Sequence, residues 1–194
     1  MLNNYFLTLT ILIAASTLIP AQIITPGSCP HNIQVVENFD VNKYLGKWYE
    51  YAKYPVHFEK NGKCIWAEYT LNNQNSIKVK NALINENTNI YSDIMGSATL
   101  VSNAKLLVKF PVSPVITVSS NYWILATDYD NYAVVYSCIP KSDNSHGTIV
   151  WILTRQPIPQ PNIVEKSMDI LKQNNISLQE LKVTNQISCS EGNV

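Results

Sequence analysis

The chain has 194 residues and carries 14 basic and 14 acidic side chains, so its formal net charge is zero. Charged residues make up 14% of it, against about a quarter in an average globular protein. Nucleic-acid binding depends on a basic face that displaces counterions, so this balance excludes a nucleic acid as the expected partner.

The segment at residues 1–21 is an apolar run interrupted by Thr, Ser and Pro. It is too short to span a bilayer comfortably and ends in small residues, which favours a secretory signal peptide over a retained membrane anchor. We predict cleavage after Ala21 and a secreted, extracellular protein. No linker or repeat divides residues 22–194, which are expected to form one domain.

Period-two alternation with β-branched and aromatic residues predicts a series of strands after residue 45. Eight such segments occur, at residues 46–53, 64–71, 76–84, 91–100, 105–110, 121–127, 131–138 and 148–154. Most of the links between them are short and rich in turn formers, which is typical of an antiparallel meander.

A single helix is predicted after the last strand. Pro157, Pro159 and Pro161 end the sheet, and Asn162 followed by Glu165 resembles a capping box. The helix should run to about residue 174 with an apolar face formed by Val164, Met168 and Leu171. The predicted fold is therefore all-β: an eight-stranded antiparallel up-and-down barrel with one C-terminal α-helix packed outside, a form that can enclose one small ligand.

The alternation also predicts which side chains face the lumen. In the strand at residues 105–110 the lysines are expected to point outward, so Leu106, Val108 and Phe110 point inward. The same reasoning places Val79 and Asn81 inward in the strand at residues 76–84. The lumen should be apolar with a few polar points.

Three short motifs are predicted to meet at one end of this barrel. Because successive strands reverse direction, Thr127, Asp128 and Tyr129 at the end of the sixth strand, and Arg155 at the end of the eighth, lie near Trp48 at the start of the first. A guanidinium can stack on an indole and donate to backbone carbonyls, so Arg155 should seal this end. Gly46 would let the entering backbone pass close beneath.

In this order, and followed by a helix, these motifs resemble those of the lipocalin family. The similarity extends through residues 37–50, 122–129 and 131–138. It implies a secreted carrier of a fatty acid, a sterol or a similar lipid, with no required cofactor. The alternative is a chromoprotein holding biliverdin, like the insect bilin-binding members.

Four cysteines occur in the chain, and none is in C-x-x-C spacing. In a secreted chain an even count favours two disulfides over a zinc site, so we predict no metal, but the count leaves three pairings open. The lipocalin resemblance implies the pairs Cys29–Cys138 and Cys64–Cys189.

The resemblance further implies that Tyr69, Asn81 and Trp151 contact the ligand, and the inward alternation adds Phe110 and Leu153. The alternative is that the apolar members of this set only fill the barrel. Bilin-binding members carry a histidine where this chain has His146, which is therefore a candidate contact at the mouth; otherwise it is a solvated loop residue.

The segment from Pro111 to Val118 is unusually apolar for a loop. An exposed apolar patch often marks a contact surface, so we predict contact with a membrane or lipoprotein. The alternative is that part of the segment extends the following strand or tucks inside the barrel. Asn175 begins a glycosylation sequon just after the helix.

No catalytic motif was found. The chain lacks a G-x-S-x-G elbow, an H-E-x-x-H pair and a glycine-rich phosphate loop. A few lipocalins act on prostaglandins through a cysteine thiol inside the barrel, but this requires a free cysteine. We predict a binding protein, not an enzyme.

Overall fold

The computed structural model describes residues 22–72 and 76–189, so the predicted signal peptide at residues 1–21 lies outside the described residues. Within these two ranges, ten strands form one continuous antiparallel sheet. They are β1 (Ile23–Pro26), β2 (Gly46–Lys53), β3 (Gly62–Leu71), β4 (Ile77–Asn85), β5 (Tyr91–Ser102), β6 (Lys105–Ser113), β7 (Ile116–Thr127), β8 (Tyr132–Pro140), β9 (Ser145–Thr154) and β10 (Lys182–Val183).

Strands β2 to β9 are each paired with their neighbour in sequence, and β9 pairs back onto β2 with Thr154 opposite Tyr49. This closure confirms the predicted eight-stranded up-and-down barrel. The short strands β1 and β10 were not predicted. They are too short to show a period-two alternation. Each forms by pairing with a strand of the barrel, β1 with β9 and β10 with β2.

The described residues include two α-helices, α1 (Val41–Tyr44) and α2 (Pro161–Gln173), and a short 3₁₀ helix, His57–Glu59. Helix α2 lies outside the barrel, where Leu171 packs with Val134, Tyr136 and Ile152. The predicted cap was wrong, because the N-cap is Gln160 and Asn162 lies inside the first turn. Pro161 suits the first helical position, since its fixed φ matches the helix and its missing N–H leaves no donor unsatisfied.

The apolar segment predicted as a loop is mostly a hairpin. Strand β6 continues to Ser113 and β7 begins at Ile116, so that Phe110 pairs with Val118 and Pro111 with Thr117. Alternating β-branched residues favour continued pairing over a loop. Part of this segment therefore extends strands, as the alternative had it, and contact with a membrane or lipoprotein stays a prediction.

Two layers of apolar side chains hold the fold together. One lies inside the barrel around Trp48, Leu106 and Ile124, and the other lies between the outer wall and α2. The bridges Cys29–Cys138 and Cys64–Cys189, both implied by the resemblance, tie the N-terminal arm and the C-terminal tail to the barrel. Within the described ranges, no helix combines the length and apolar character needed to cross a membrane.

Candidate ligand-binding cavity

One end of the barrel is closed by Arg155 over Trp48. The guanidinium carbon lies 3.6 Å from the centroid of the fully buried indole ring. The same group donates from Nη1 to the carbonyl of Lys47 at 2.8 Å and from Nη2 to that of Leu45 at 2.9 Å. Stacking combined with a planar fork of donors is a combination that lysine cannot supply.

The other two motifs position this seal. Gly46 has φ +92°, a left-handed conformation that favours glycine, while a Cβ there would meet Arg155 Nη1 at 3.4 Å, an ordinary contact. Thr127 Oγ1 accepts from the Tyr129 N–H at 2.9 Å, and Tyr129 O in turn accepts from Arg155 Nε at 2.9 Å. Asp128 caps the same turn by accepting from the Asn131 and Tyr132 N–H groups. All three motifs thus meet as predicted.

Above the sealed end the barrel encloses a cavity of about 530 Å³ with a mainly apolar lining. Its mouth lies at the opposite end, where Phe58 and Val112 are both lining residues and exposed. This size and character suit a small hydrophobic molecule.

Five of the six candidate ligand contacts line this cavity. Tyr69, Asn81, Phe110, Trp151 and Leu153 come from four different strands. They meet because each occupies an inward position of the strand alternation. Their contact with a ligand stays a prediction, but the structure brings their side chains to one space.

His146 is the exception and needs correction. It is buried, its Nδ1 lies 2.8 Å from the carbonyl oxygen of Gly27, and it is not a lining residue. Trp151 and Leu153 point inward from β9, so His146, at an even position, points outward toward β1. The sequence placed it in a loop, whereas β9 already begins at Ser145.

Tyr122 is a lining residue that was missed. Its hydroxyl lies 2.8 Å from both the Tyr44 and the Tyr69 hydroxyls, and its ring centroid is 6.3 Å from that of Trp151. Burial raises the pKa of the Tyr122 and Tyr69 phenols, which therefore stay neutral hydrogen-bonding groups. The alternation of β7, with Trp123 outward, would have placed it inside.

A charged cluster, also missed, lies beside the cavity. Lys53 Nζ is 2.9 Å from Glu50 Oε1 and 2.8 Å from Glu59 Oε2, and both carboxylates belong to lining residues. Glu50 also accepts from the Thr184 hydroxyl. Alternation from the inward-facing Trp48 would have placed Glu50 inside as well, because the bulge that interrupts the pairing of β2 with β9 lies beyond it, between Glu50 and Ala52. Across the ranges described, no group of three or more His, Cys, Asp or Glu side chains is placed to hold a metal ion.

A closed barrel with a sealed floor, an apolar cavity and one outer helix defines the lipocalin class of ligand-binding proteins. The family model for the lipocalin-like domain matches residues 39–186, and the chain belongs to this family.

Among its relatives, apolipoprotein D of Bos taurus is 45% identical over 172 residues, which is 85% of this chain and 86% of that protein. The Lazarillo protein of Schistocerca americana is 38% identical over 157 residues, 78% of this chain and 72% of that protein. The solved structure of insecticyanin from Manduca sexta superimposes with a TM-score of 0.77 at 28% identity, covering 89% of this chain and 92% of that one.

Proposed function

We propose that this protein is a secreted carrier that holds a fatty acid, a sterol or a similar lipid inside its barrel. The observation that supports this most is the mainly apolar cavity of about 530 Å³ above a floor closed by Trp48 and Arg155. Binding would be driven by removing apolar ligand surface from water, at about 25 cal/mol per Å² before entropy losses. Similarity to apolipoprotein D supports the same function.

Two tryptophans provide a matched test of where the ligand sits. Trp151 lines the cavity, whereas Trp123 lies outside the barrel, with Lys105 Nζ 4.6 Å from its ring centroid. A bound lipid should quench the fluorescence of Trp151 and of Trp66, which also lines the cavity, so Trp151→Phe should reduce the quenching and Trp123→Phe should retain it in full. Equal quenching in the two variants would contradict a ligand in the cavity.

The ligand itself can be identified directly. Solvent extraction of protein purified from its natural source, followed by mass spectrometry, should release a lipid. A biliverdin chromoprotein is the second candidate, supported by the resemblance to bilin-binding lipocalins and the superposition on insecticyanin. A blue absorption band in the purified protein would favour it, and a colourless protein carrying lipid would exclude it.

We also propose that the protein carries its ligand without acting on it as an enzyme. The enzymatic alternative needs a cysteine thiol inside the barrel, and all four cysteines are paired in disulfides. A thiol titration of the native protein should detect no reactive group. One or more reactive thiols would restore the enzymatic alternative.

We also propose that the protein is secreted and carries a glycan on Asn175. Both disulfides fit an oxidising compartment, and Asn175 of the sequon is exposed just after α2. Treatment of the secreted protein with peptide-N-glycosidase F should reduce its apparent mass, and the Asn175→Gln variant should show no such change. An unaltered mass of the wild-type protein would contradict glycosylation at this residue.

Loading from a membrane or lipoprotein surface is supported by the tip of the β6–β7 hairpin. Val115 is 91% exposed and Ile116 is 55% exposed, while Val112 and Val118 are exposed and also line the cavity. The apolar surface is thus continuous from the hairpin tip into the mouth. A lipid could move along it without crossing water.

The double variant Val115→Ser with Ile116→Ser should weaken binding to phosphatidylcholine liposomes in a flotation assay. The matched control is Val101→Ser with Leu107→Ser, which removes two exposed apolar side chains elsewhere on the outer surface. Equal loss in both double variants would show that the hairpin has no special role.

A further inference from the structure

The ionisable side chains of Asp, Glu, Lys, Arg and His that border the cavity are all carboxyl groups in the described part of the chain. Glu50, Glu59 and Asp93 are lining residues, and no Lys, Arg or His of the described part of the chain is. The remaining polar lining groups, such as Asn81 and the Tyr122 hydroxyl, are neutral. A lipid carboxylate entering this space would therefore meet carboxyl groups and no free cation.

Lys53 does not supply that cation. It lies between Glu50 and Glu59, at 2.9 and 2.8 Å, and the side chains of Lys53, Glu50 and Glu59 are 11%, 2% and 10% exposed. The groups from the C-terminal segment that contact Glu50, the Thr184 hydroxyl and the Gln186 amide, are uncharged. The cluster thus combines two carboxyl groups with one ammonium in a desolvated place, where charges interact strongly.

The protonation of Glu50 follows from this arrangement. Burial and then the charge of Glu59 raise its pKa to about 8, although Lys53 and the Thr184 hydrogen bond oppose the shift. Burial by itself would lower the pKa of Lys53, but the charges of Glu50 and Glu59 raise it, so the ammonium stays charged. Near neutral pH the cluster therefore holds an extra proton instead of a second negative charge.

We propose that the Glu50–Lys53–Glu59 cluster makes the cavity selective for the charge of the ligand's head group. A lipid with an uncharged head, such as an alcohol or a sterol, enters without any change in protonation. A lipid carboxylate enters only when the cluster retains its extra proton. This inference rests on the proposed lipid-carrier function and identifies the class of lipid that the cavity holds across the widest range of pH.

The test compares oleyl alcohol with oleate, two ligands of equal chain length. Each is used to displace the neutral fluorescent probe N-phenyl-1-naphthylamine from the full mature protein between pH 7 and pH 9. If a single proton with a pKa of about 8 controls entry, oleate affinity should fall about tenfold over this range while that of oleyl alcohol stays constant. Oleate affinity that does not change with pH would overturn the inference.

Two variants locate the effect. Glu50→Gln keeps the side-chain shape and removes the titrating group, so oleate affinity should lose its pH dependence. Glu59→Gln removes the charge that raises the pKa of Glu50, so the fall in oleate affinity should move to lower pH. An unchanged fall in both variants would overturn the inference, whereas failure of both lipids to displace the probe would overturn the carrier function itself.

Discussion

At the level of single residues, Arg155 explains how this barrel can be hollow and still stable. It is the sole arginine of the chain, and its donors reach carbonyl groups of Lys47, Leu45 and Tyr129 while its plane covers Trp48. The carbonyls come from two separate segments. A single side chain therefore closes the floor and joins the start of β2 to the turn that follows β7.

Replacing Arg155 with lysine should lower the free energy of unfolding by about 2 kcal/mol, because one ammonium can neither stack on the indole nor reach all these carbonyls. Urea denaturation followed by tryptophan fluorescence measures the change. Lys109→Ala, at an exposed position on β6, should leave stability nearly unaltered. A loss as small as that of the control would contradict the sealing role.

The absence of a Cβ at Gly96 makes room for the ring of Phe110, which lines the cavity. A Cβ added there would lie 2.5 Å from the Phe110 ring and from the Lys109 carbonyl oxygen. Gly96→Ala should therefore displace Phe110, lower the free energy of unfolding by about 1 to 3 kcal/mol and weaken probe binding. Ser97→Ala, at the next position of β5, is the control, and equal behaviour of the two variants would refute the packing argument.

At the level of elements, the C-terminal tail completes the wall. The β2–β3 ladder extends only from Gly46 to Tyr49 of β2. Beyond it, the Thr184 N–H donates to Tyr51 O and Asn185 O accepts from the Cys64 N–H. The Gln186 amide bridges the strands by donating to Glu50 O at 3.0 Å and Ile65 O at 2.7 Å. The tail thus provides hydrogen-bond partners for backbone groups of β2 and β3 where these two strands no longer pair with each other.

Gln186→Met, which keeps the length of the side chain, should lower the free energy of unfolding by about 1 to 3 kcal/mol, because two buried carbonyls lose their donor. Ile187→Ala at the neighbouring exposed position serves as the control. Chemical denaturation with the disulfides intact measures both. A neutral Gln186→Met variant would mean that the two hydrogen bonds of Gln186 do not contribute to holding the tail.

At the level of the whole molecule, stability should depend on pH through Glu50. Its pKa rises from 4.5 in the unfolded chain to about 8 in the folded protein, with burial as the main cause. The folded state therefore binds the proton more tightly, so its contribution is complete below pH 4.5 and is lost as pH rises through 8.

The free energy of unfolding should accordingly decrease between pH 5 and pH 9 by an amount on the order of a few kcal/mol that is absent in Glu50→Gln. Urea denaturation of both proteins at the two pH values gives the difference. An identical pH dependence in wild type and variant would show that Glu50 ionises without cost in the folded state.

Much of this molecule could be predicted from local patterns. Period-two alternation predicted the eight barrel strands and the inward positions of Asn81 and Phe110, because the alternation of side chains along a strand is a property of the backbone itself. The reversal of successive strands predicted that Arg155 lies over Trp48, where its guanidinium covers the indole.

What the sequence alone determined was therefore the class of fold, the apolar lumen and its sealed end, since these depend on residue spacing along single strands. Only the tertiary structure decided the outward direction of His146, the bulge in β2 just after Glu50, and the pairing of Glu50 with Lys53 and Thr184. Strand edges, bulges and buried charge clusters arise from contacts between distant segments, and such contacts produce no periodic pattern of residues in the sequence.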